Sequence, residues 1–387
     1  MTRPIHDLIP AFIHEIDPYV PGKPIEEVER ELKLRAVKLA SNENPLGPSP
    51  RAVEAVRKFL SESHRYPDGG GYYLREKLAA RLGVAMQNVI LGGGSTELID
   101  LAARALLNHG DEGVTAEGSF PMYYISIRAA GARLVAVPLR QHRYDLEALA
   151  RNVTPRTKLV YIANPNNPTG TMFTADEFDA FLERVSGTTN TIVVLDEAYY
   201  EYVERPGYSR SVDLVRDGRN LLVLRTFSKV YGLAGLRIGY GTGPAELLAA
   251  MNKVRSPFNT SSIAQVAAMA ALDDAEHVRR SVESNRAGLE QLSTGLAAMG
   301  ISFVPSVTNF VLVDVGSDAA AVADELMKLG VIVRPMRWMG FPNAIRVTVG
   351  THAENEKFLA ALAQVRAVAD PTRCGGAPPR RGDERGR

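Results

Sequence analysis

The sequence has almost no cysteine, no excess of charge of either sign and no long apolar run. Its 387 residues include one cysteine, Cys374, which excludes an intramolecular disulfide and a metal site built from several cysteines. No run approaches the roughly 20 apolar residues needed to span a bilayer, so we expect a soluble protein. The beginning of the chain shows no basic segment followed by an uninterrupted apolar one, so no secretory signal is predicted and a cytoplasmic location is expected.

The balance of charge argues against a polyanionic partner. The 45 Lys and Arg residues almost cancel the 44 Asp and Glu residues, which leaves a net charge of +1. A surface that binds nucleic acid or a membrane usually carries a basic excess, and none is seen here. The composition, 45% hydrophobic and 23% charged, is ordinary for a globular protein, and the length suggests roughly two to three domains.

Short apolar runs alternate with amphipathic segments between Arg51 and about Leu272, which predicts βα units around a mainly parallel sheet. Four such runs, each followed by polar or glycine residues, are NVILGGG, KLVYIAN, TIVVLDEAYY and NLLVLRTF. A capping box, Thr174 with Glu177 three residues later, predicts the start of a helix. We therefore predict a large α/β domain over residues 46–272.

The pattern changes after about Asp273. A long charged segment predicts a helix, and SFVPSVTNFVLVDV, VIVRPM and AIRVTVG follow it as predicted strands. These elements predict a smaller C-terminal α/β domain over residues 273–369. Residues 370–387 are rich in Gly, Pro and Arg and offer almost nothing apolar to bury, so we expect a disordered tail.

Polar groups follow the ends of several predicted strands, where ligands bind in open α/β sheets. Ser95 and Thr96 come after three glycines at the start of a helix, a place suited to a phosphate, although a capped turn alone explains it more simply. Asn167 lies on a loop stiffened by prolines. Asp196 follows four apolar residues, so burial would require a cationic or proton-sharing partner, the alternative being a helix cap or a surface ion pair.

The segment TFSKVYGLAGLRIGY adds a lysine to this set. Lys229 has Thr226 and Ser228 before it and Arg237 eight residues later, and by itself it needs no special explanation. Together, however, these groups suit pyridoxal 5′-phosphate. This cofactor has a phosphate, a ring nitrogen that pairs with a carboxylate, a phenolic oxygen that accepts hydrogen bonds and an aldehyde that reacts with an amine.

Four segments in fixed order then carry a resemblance to a known family: NPNNPTG, DEAYYEY, TFSKVYGLAGLRIGY and AIRVTVGT. The chain strongly resembles the fold type I pyridoxal-phosphate aminotransferases, specifically the histidinol-phosphate aminotransferase group, from about Asp17 to Leu362. The resemblance implies a large domain with a mixed, mainly parallel sheet and a small domain built from both chain ends, to which residues 1–45 contribute an arm. It also implies a homodimer whose active sites lie at the subunit interface.

The resemblance further implies how the cofactor is held. Lys229 is the residue that forms the imine with the cofactor and moves the substrate proton, and Asp196 is the partner of the pyridinium nitrogen. Tyr199 and Asn167 contact the phenolic oxygen, and Tyr199 joins Lys229 and Asp196 as a predicted catalytic residue. The residues expected to hold the cofactor phosphate are Ser95, Thr96, Thr226, Ser228 and Arg237.

Two aromatic positions complete the expected cofactor site. Phe120 stands where this group usually has a tyrosine, so stacking on the cofactor ring is retained but a hydroxyl contact is not. Tyr66 matches the tyrosine that reaches the phosphate of the neighbouring subunit's cofactor, the alternative being a turn aromatic without such a role.

Three residues are expected to contact the substrate. Arg346 matches the family arginine that binds the substrate anion, and Arg334 and Tyr19 match residues that the histidinol-phosphate group uses in addition. In the simpler interpretation, Arg334 pairs with a surface acid and Tyr19 packs in the arm. The sequence RWMGFP, with the only tryptophan, Trp338, replaces a glycine-tyrosine-glycine run that is frequent in relatives and alters the expected pocket wall.

The expected reaction follows from these roles. Asp196 keeps the ring nitrogen protonated, so the ring accepts the electrons that are released when the substrate loses its Cα proton to Lys229. Histidinol phosphate and 2-oxoglutarate would give imidazole acetol phosphate and glutamate by a ping-pong mechanism.

Other functions are open at this point. An aromatic amino acid aminotransferase is the nearest alternative, and a phosphothreonine-type decarboxylase of the same fold is more distant. A regulator that binds the cofactor without turnover would need a basic DNA-binding module, and no helix-turn-helix pattern precedes the first helix of the large domain. A plain phosphate-binding protein would not require Lys229 and Asp196 together.

Overall fold

The computed structural model describes residues 4–19, 21–186 and 190–369. Cys374 and the predicted disordered tail, residues 370–387, lie outside the described residues. Within those ranges no helix combines the length and the apolar character that crossing a membrane requires.

A seven-stranded sheet forms the centre of the fold, with strands in the order β2-β8-β7-β6-β5-β3-β4. β8 runs antiparallel to both of its neighbours, and the other neighbouring pairs are parallel. All four apolar runs predicted as strands lie in this sheet. Its strands are β2 (Val89–Gly92), β3 (Glu112–Ala116), β4 (Arg133–Val137), β5 (Thr157–Ala163), β6 (Ile192–Asp196), β7 (Leu221–Thr226) and β8 (Gly239–Thr242).

Helices cover this sheet and the smaller ones, which confirms the predicted α/β fold class. The predicted capping box is present, because Thr174 N donates to Glu177 Oε2 at 2.7 Å and Glu177 N donates to Thr174 Oγ1 at 3.2 Å. The helices of the described residues are α1 (Ala11–His14), α2 (Ile25–Leu32), α3 (Pro50–Phe59), α4 (Tyr72–Leu82), α5 (Ser95–Leu106), α6 (Met122–Ala129), α7 (Leu146–Arg151), α8 (Ala175–Ser186), α9 (Ser211–Arg216), α10 (Ala245–Val254), α11 (Ser262–Leu272), α12 (Ala275–Ala298), α13 (Ala319–Lys328) and α14 (His352–Ala369).

The predicted long helix after Asp273 is α12, and the strands that follow it form a four-stranded antiparallel sheet in the order β12-β13-β10-β9. Another strand of this part, β11, pairs in parallel with β1 near the beginning of the chain, with Val37 opposite Val331. The bounds of these strands are β1 (Val37–Lys38), β9 (Phe303–Val304), β10 (Phe310–Asp314), β11 (Val331–Ile332), β12 (Arg334–Met336) and β13 (Phe341–Thr348). The domain boundaries themselves stay a prediction.

The central strands of the large sheet are buried along almost their whole length. Every residue of β7, and every residue of β6 after Ile192, is buried, as expected for parallel strands with helices on both faces. The first polar side chains after such strands are fixed by a rigid scaffold. Their positions at the carboxyl end of the sheet define the site.

Candidate active site

One cavity at the carboxyl ends of β5, β6 and β7 brings together every predicted site residue except Tyr66. The four-stranded sheet and the segment around Ser41 close its other side. Among the described residues, no group of three or more His, Cys, Asp or Glu side chains is placed to hold a metal ion. The predicted residues that line the cavity are Tyr19, Ser95, Thr96, Phe120, Asn167, Asp196, Tyr199, Thr226, Ser228, Lys229, Arg237, Arg334 and Arg346.

Asp196 ends β6 with its carboxylate buried in the cavity floor. Its Oδ2 accepts a hydrogen bond from the Tyr123 hydroxyl at 2.9 Å, and its Oδ1 accepts one from the Ala198 backbone N–H at 3.1 Å. Burial raises the pKa of Asp196 to about 6, although the Tyr123 hydrogen bond opposes this shift. The group is therefore mostly ionised at neutral pH and is suited to face a protonated ring nitrogen.

Tyr123 is thus the partner that the sequence analysis required for Asp196 but did not identify. It comes from α6, three residues after Phe120, and its ring stacks on Tyr161 of β5 with centroids 5.1 Å apart. Phe120 lines the cavity and meets the Tyr123 ring edge-on at 5.7 Å. A tyrosine only three residues after Phe120 was the sequence signal that could have revealed this hydrogen-bond donor.

Lys229 lies on the loop that follows β7 and lines the same cavity as Asp196. Its Nζ is 3.5 Å from the carbonyl oxygen of Ser41 and 5.5 Å from the centre of the Tyr199 ring. Burial lowers the pKa of Lys229 to about 8, and the positive charge of Arg346 lowers it further. A sizeable fraction of the amine is therefore neutral near physiological pH, which is the form that attacks a carbonyl carbon and accepts a proton.

The first turn of α5 and the loop after β7 form a pocket for an anion. Thr226 Oγ1 donates to Ser228 Oγ at 2.9 Å, and Arg237 Nη1 is 3.4 Å from the same oxygen. Gly94 precedes α5 with φ +82°, a backbone conformation that favours glycine, and a Cβ there would lie 2.6 Å from Arg237 Nη2 and would displace this guanidinium. Backbone N–H groups at the start of α5, hydroxyls and a guanidinium are together a donor set that fits a phosphate.

Tyr199 and Asn167 line the cavity between Lys229 and the four-stranded sheet. The Tyr199 hydroxyl accepts a hydrogen bond from Asn42 Nδ2 at 2.8 Å. Burial raises the pKa of Tyr199 to about 12, so the hydroxyl keeps its proton and can donate it to a ligand. Asn42 lies just after β1 in the polar run SNEN. Because it is far along the chain from Tyr199, the sequence alone did not indicate this contact.

Arg334 and Arg346 are direct neighbours across the antiparallel pair β12 and β13. Both are buried, and burial lowers the pKa of each guanidinium. Arg346 Nη1 donates to Asn167 Oδ1 at 2.6 Å and Nη2 donates to the Ala40 carbonyl oxygen at 2.7 Å, whereas its buried Nε has no hydrogen-bond partner among the residues that the structure describes. Like charges directly opposite each other destabilise a sheet, and an anion bound next to both would offset this repulsion.

Tyr66 is the predicted site residue that lies outside the cavity. Its side chain is 83% exposed and stacks on the Phe258 ring with centroids 4.8 Å apart. The role expected for it concerns the site of a neighbouring subunit and stays a prediction. Tyr19, by contrast, lies at the cavity wall, half exposed, with its ring 5.7 Å from Cζ of Arg334.

Arg225 and Glu197 form a buried ion pair next to the cavity floor, and it was not among the features predicted from the sequence. Arg225 donates to Glu197 Oε2 through Nε at 3.0 Å and is 2.8 Å from it through Nη2, and its Cζ lies 3.4 Å from the centre of the Tyr200 ring. Glu197 directly follows Asp196, and Arg225 directly precedes Thr226. The pair therefore connects the ends of β6 and β7 from which the cofactor-facing groups project.

Comparison with known proteins identifies the family. The family Aminotransferase class I and II matches residues 35–362. Histidinol-phosphate aminotransferase 1 of Nitrosococcus oceani is 48% identical over 361 residues, which cover 93% of this chain and 97% of that protein. The histidinol-phosphate aminotransferase of Moorella thermoacetica is 48% identical over 357 residues, which cover 92% of each chain.

A solved structure agrees with these relatives. The histidinol-phosphate aminotransferase of Sinorhizobium meliloti, in complex with pyridoxal-5′-phosphate, superposes with a TM-score of 0.84 at 32% identity. The match covers 93% of this chain and 98% of that one. A lysine and a carboxylate at neighbouring strand ends, an anion pocket in the same cavity and relatives that match over nearly the whole length point the same way: the chain belongs to the class I and II aminotransferase family.

Proposed function

We propose that this aminotransferase uses pyridoxal phosphate to transfer the amino group of histidinol phosphate to 2-oxoglutarate, a step of histidine biosynthesis. The products would be imidazole acetol phosphate and glutamate, and the enzyme would act as a cytoplasmic homodimer. The names of the relatives support the choice of amino donor. The observation that carries the proposal is the pair Arg334 and Arg346, which lines the same cavity as Lys229 and Asp196.

The donor set of the cavity fits pyridoxal phosphate. The hydroxyls of Ser95, Thr96, Thr226 and Ser228 and the guanidinium of Arg237 would hold its phosphate, and Asp196 would face its ring nitrogen. When bound, the cofactor supplies an aldehyde that exchanges amino groups and a protonated ring that withdraws electrons from the reacting carbon.

Tyr199, Asn167 and Phe120 would contact the ring of the cofactor. Because Asn167 Oδ1 already accepts from Arg346, its Nδ2 is the amide atom able to donate to a ligand. The Tyr199 hydroxyl accepts from Asn42 and keeps its own proton for a second bond. Phe120 would stack the apolar face of its ring on the cofactor, as the tyrosine at this position of the family is expected to do, but it provides no hydroxyl.

Lys229 and Asp196 have different tasks in the proton transfer. Lys229 Nζ accepts the proton from Cα of the amino donor, and its lowered pKa keeps enough of the amine neutral to do so. Asp196 holds a negative charge in a buried place, and Tyr123 and Ala198 stabilise that charge by hydrogen bonds. Lys229 therefore provides a base, and Asp196 provides a fixed negative charge for the ring nitrogen, in one cavity.

The two arginines explain why a phosphate-bearing donor is favoured. A phosphate carries close to two negative charges and three acceptor oxygens, so it can engage Arg334 and Arg346 together, whereas the carboxylate of an amino acid has one charge. Binding such a dianion would also offset the repulsion between the two guanidiniums, which face each other across β12 and β13.

The test of the proposal is a comparison of amino donors. The purified chain, saturated with pyridoxal phosphate and supplied with 2-oxoglutarate, should show a higher kcat/KM with histidinol phosphate than with phenylalanine. The Lys229→Ala variant, which lacks the predicted base, is the matched control for background transfer. A clear preference for phenylalanine would favour an aromatic amino acid aminotransferase and overturn the proposed donor.

The proposed homodimer rests on the surface around Tyr66. Tyr66 and Phe258 are exposed aromatic side chains that stack on each other, and exposed apolar patches mark contact surfaces. Tyr66 lies outside the cavity of its own chain, so we propose that it reaches the cofactor phosphate of the partner.

Hybrid dimers test this arrangement. Lys229→Ala and Tyr66→Ala proteins, each with impaired sites, are mixed under conditions that allow subunit exchange. One site of each hybrid then has both residues intact, so activity should rise above that of either protein alone. Full activity of a preparation shown to be monomeric by ultracentrifugation would contradict the shared site.

A further inference from the structure

Trp338 lies directly behind one of the two substrate arginines. It belongs to a short 3-10 turn, Arg337–Met339, between β12 and β13, and its side chain is 44% exposed. The centre of its ring is 5.0 Å from Cζ of Arg334, and its ring meets that of Tyr19 nearly at right angles with centroids 5.6 Å apart. Trp338 therefore contacts both of the residues that the histidinol-phosphate group is expected to add to the substrate site.

The guanidinium of Arg334 is held against two aromatic rings. Its Cζ lies 5.7 Å from the Tyr19 ring centre, in addition to the contact with Trp338. A cation within about 6 Å of a ring centre is attracted by the negative face of the ring, and the attraction strengthens when the cation is shielded from water. Arg334 is only 8% exposed, so it meets this condition.

Two of these three residues lie at the boundary between two cavities. Tyr19 and Arg334 line both the active-site cavity and a second, largely apolar chamber, whereas Trp338 lines the chamber alone. The chamber is walled on its far side by α6 residues such as Tyr124 and Arg128. Trp338 therefore packs against the Arg334 guanidinium on the side of the chamber, away from the active-site cavity.

The backbone around Trp338 limits where its ring can go. The turn ends at Gly340 with φ +90°, a conformation that glycine adopts without strain. Arg337 Nη2 is 3.0 Å from Asp318 Oδ2 at the start of α13, but both side chains are more than half exposed, so this ion pair adds little. The turn, rather than the ion pair, thus sets the position of the tryptophan.

We propose that Trp338 is a positioning residue that holds Arg334 toward the active-site cavity and thereby strengthens binding of a phosphate-bearing amino donor. The inference rests on the proposed function, because it assigns Arg334 to the phosphate of the donor. Trp338 itself acts through Arg334, and the donor carboxylate of an aromatic amino acid, bound by Arg346 alone, does not depend on it.

The test compares two replacements of Trp338 in the cofactor-saturated enzyme. Trp338→Leu keeps an apolar side chain but removes the aromatic face, whereas Trp338→Phe keeps an aromatic face. With Trp338→Leu we expect the KM for histidinol phosphate to rise about fivefold while kcat changes less than about twofold, as for loss of one shielded cation–π contact. With Trp338→Phe most of the parent KM should return.

Four further measurements separate positioning from a structural effect. The kcat/KM for phenylalanine should stay within about twofold in both variants, and inhibition by inorganic phosphate should weaken in Trp338→Leu but not in Trp338→Phe. Arg337→Gln, which breaks the exposed ion pair of the same turn and keeps the ring, should behave as the parent. Urea unfolding midpoints confirm that the variants are folded.

The outcomes distinguish the inference from the function on which it rests. If the parent prefers histidinol phosphate but Trp338→Leu loses equally with both donors, and Trp338→Phe does not recover, the positioning role is wrong and the proposed function stands. If the parent prefers phenylalanine, the proposed donor is wrong and the assignment of Trp338 to it fails as well.

Discussion

On the seven-stranded sheet the buried carboxylates of the site have hydrogen-bond or ion-pair partners, whereas on the four-stranded sheet two like charges lie opposite each other in register. Asp196 is held by Tyr123 and Ala198, and Glu197 and Arg225 form an ion pair beneath it. Arg334 and Arg346, in contrast, are opposite each other in register, and Arg346 leaves a buried Nε without a partner in the described part of the chain.

The difference shows which side of the cavity holds two like charges next to each other. Polar groups that bond to one another cost little when buried and form a rigid receptor, which suits a cofactor that remains through every turnover. Like charges held opposite each other raise the free energy of the ligand-free site, and a doubly charged ligand lowers it again. Changes on the first side should therefore affect all amino donors, and changes on the second should affect donors selectively.

The largest expected loss follows removal of the lysine. Lys229→Ala should lower transamination with every donor by about 10³-fold or more, because the same amine is the attachment point and the proton acceptor. Turnover with histidinol phosphate and with phenylalanine should fall together, while far-ultraviolet circular dichroism stays that of the parent. If borohydride reduction still fixes the cofactor to another lysine of this variant, the assignment of Lys229 is wrong.

Loss of the buried carboxylate should be the next largest effect. Asp196→Asn should reduce the single-turnover rate with both donors by about 10²–10³-fold, since a neutral amide cannot hold the proton on the ring nitrogen. Cofactor affinity should change much less, because the phosphate pocket around Ser95 and Arg237 is intact. Rapid mixing under single-turnover conditions and equilibrium dialysis measure the two quantities, and a near-parent rate would contradict the predicted role.

The four-stranded sheet should respond selectively. Arg334→Ala should lower kcat/KM for histidinol phosphate by about tenfold to a hundredfold, the usual effect of losing one charged hydrogen bond of 1.5–3 kcal/mol. Phenylalanine, whose carboxylate needs Arg346 alone, should lose little. Both donors are compared in the parent and in the variant, and equal losses would remove the distinction between the two sides of the cavity.

The smallest expected effect is a shift in the titration of Lys229. The positive charge of Arg346 lowers the pKa of Lys229 in addition to burial, so Arg346→Met should raise that pKa from about 8 toward, but not to, its ordinary value. In the cofactor-free protein, the rate of reductive methylation of Lys229 should then rise with pH at a higher midpoint than in the parent. Mass spectrometry of the Lys229 peptide measures this rate, with exposed Lys58 as internal reference, and an unchanged midpoint would exclude the coupling.

Most of the cofactor side could be predicted because its residues directly follow apolar strands. Asn167, Asp196 and Thr226 lie at or just beyond the ends of neighbouring strands, so the parallel order of β5, β6 and β7 brings them together. The order of the segments and the resemblance to the family then gave each residue an expected role.

The supporting residues could not be predicted in the same way. Tyr123 reaches Asp196 from α6, and Asn42 reaches Tyr199 from the segment after β1, so neither contact follows from local spacing in the chain. Glu197 and Arg225 were adjacent to predicted residues, yet their pairing depends on the lateral register of β6 and β7, with Leu224 opposite Asp196. Side-chain partners across strands are set by tertiary packing, which the sequence pattern does not display.

Two of the three residues expected to contact the substrate, Arg334 and Arg346, lie on one hairpin, which also matters for engineering. Arg334, Trp338 and Arg346 all lie within residues 334–346, which span β12, the short turn and most of β13. The residues expected to hold the cofactor and to take the proton lie elsewhere in the chain, most of them at the ends of strands of a different sheet. Grafting this one continuous segment from a relative should therefore exchange donor preference as a single module while the catalytic apparatus stays in place.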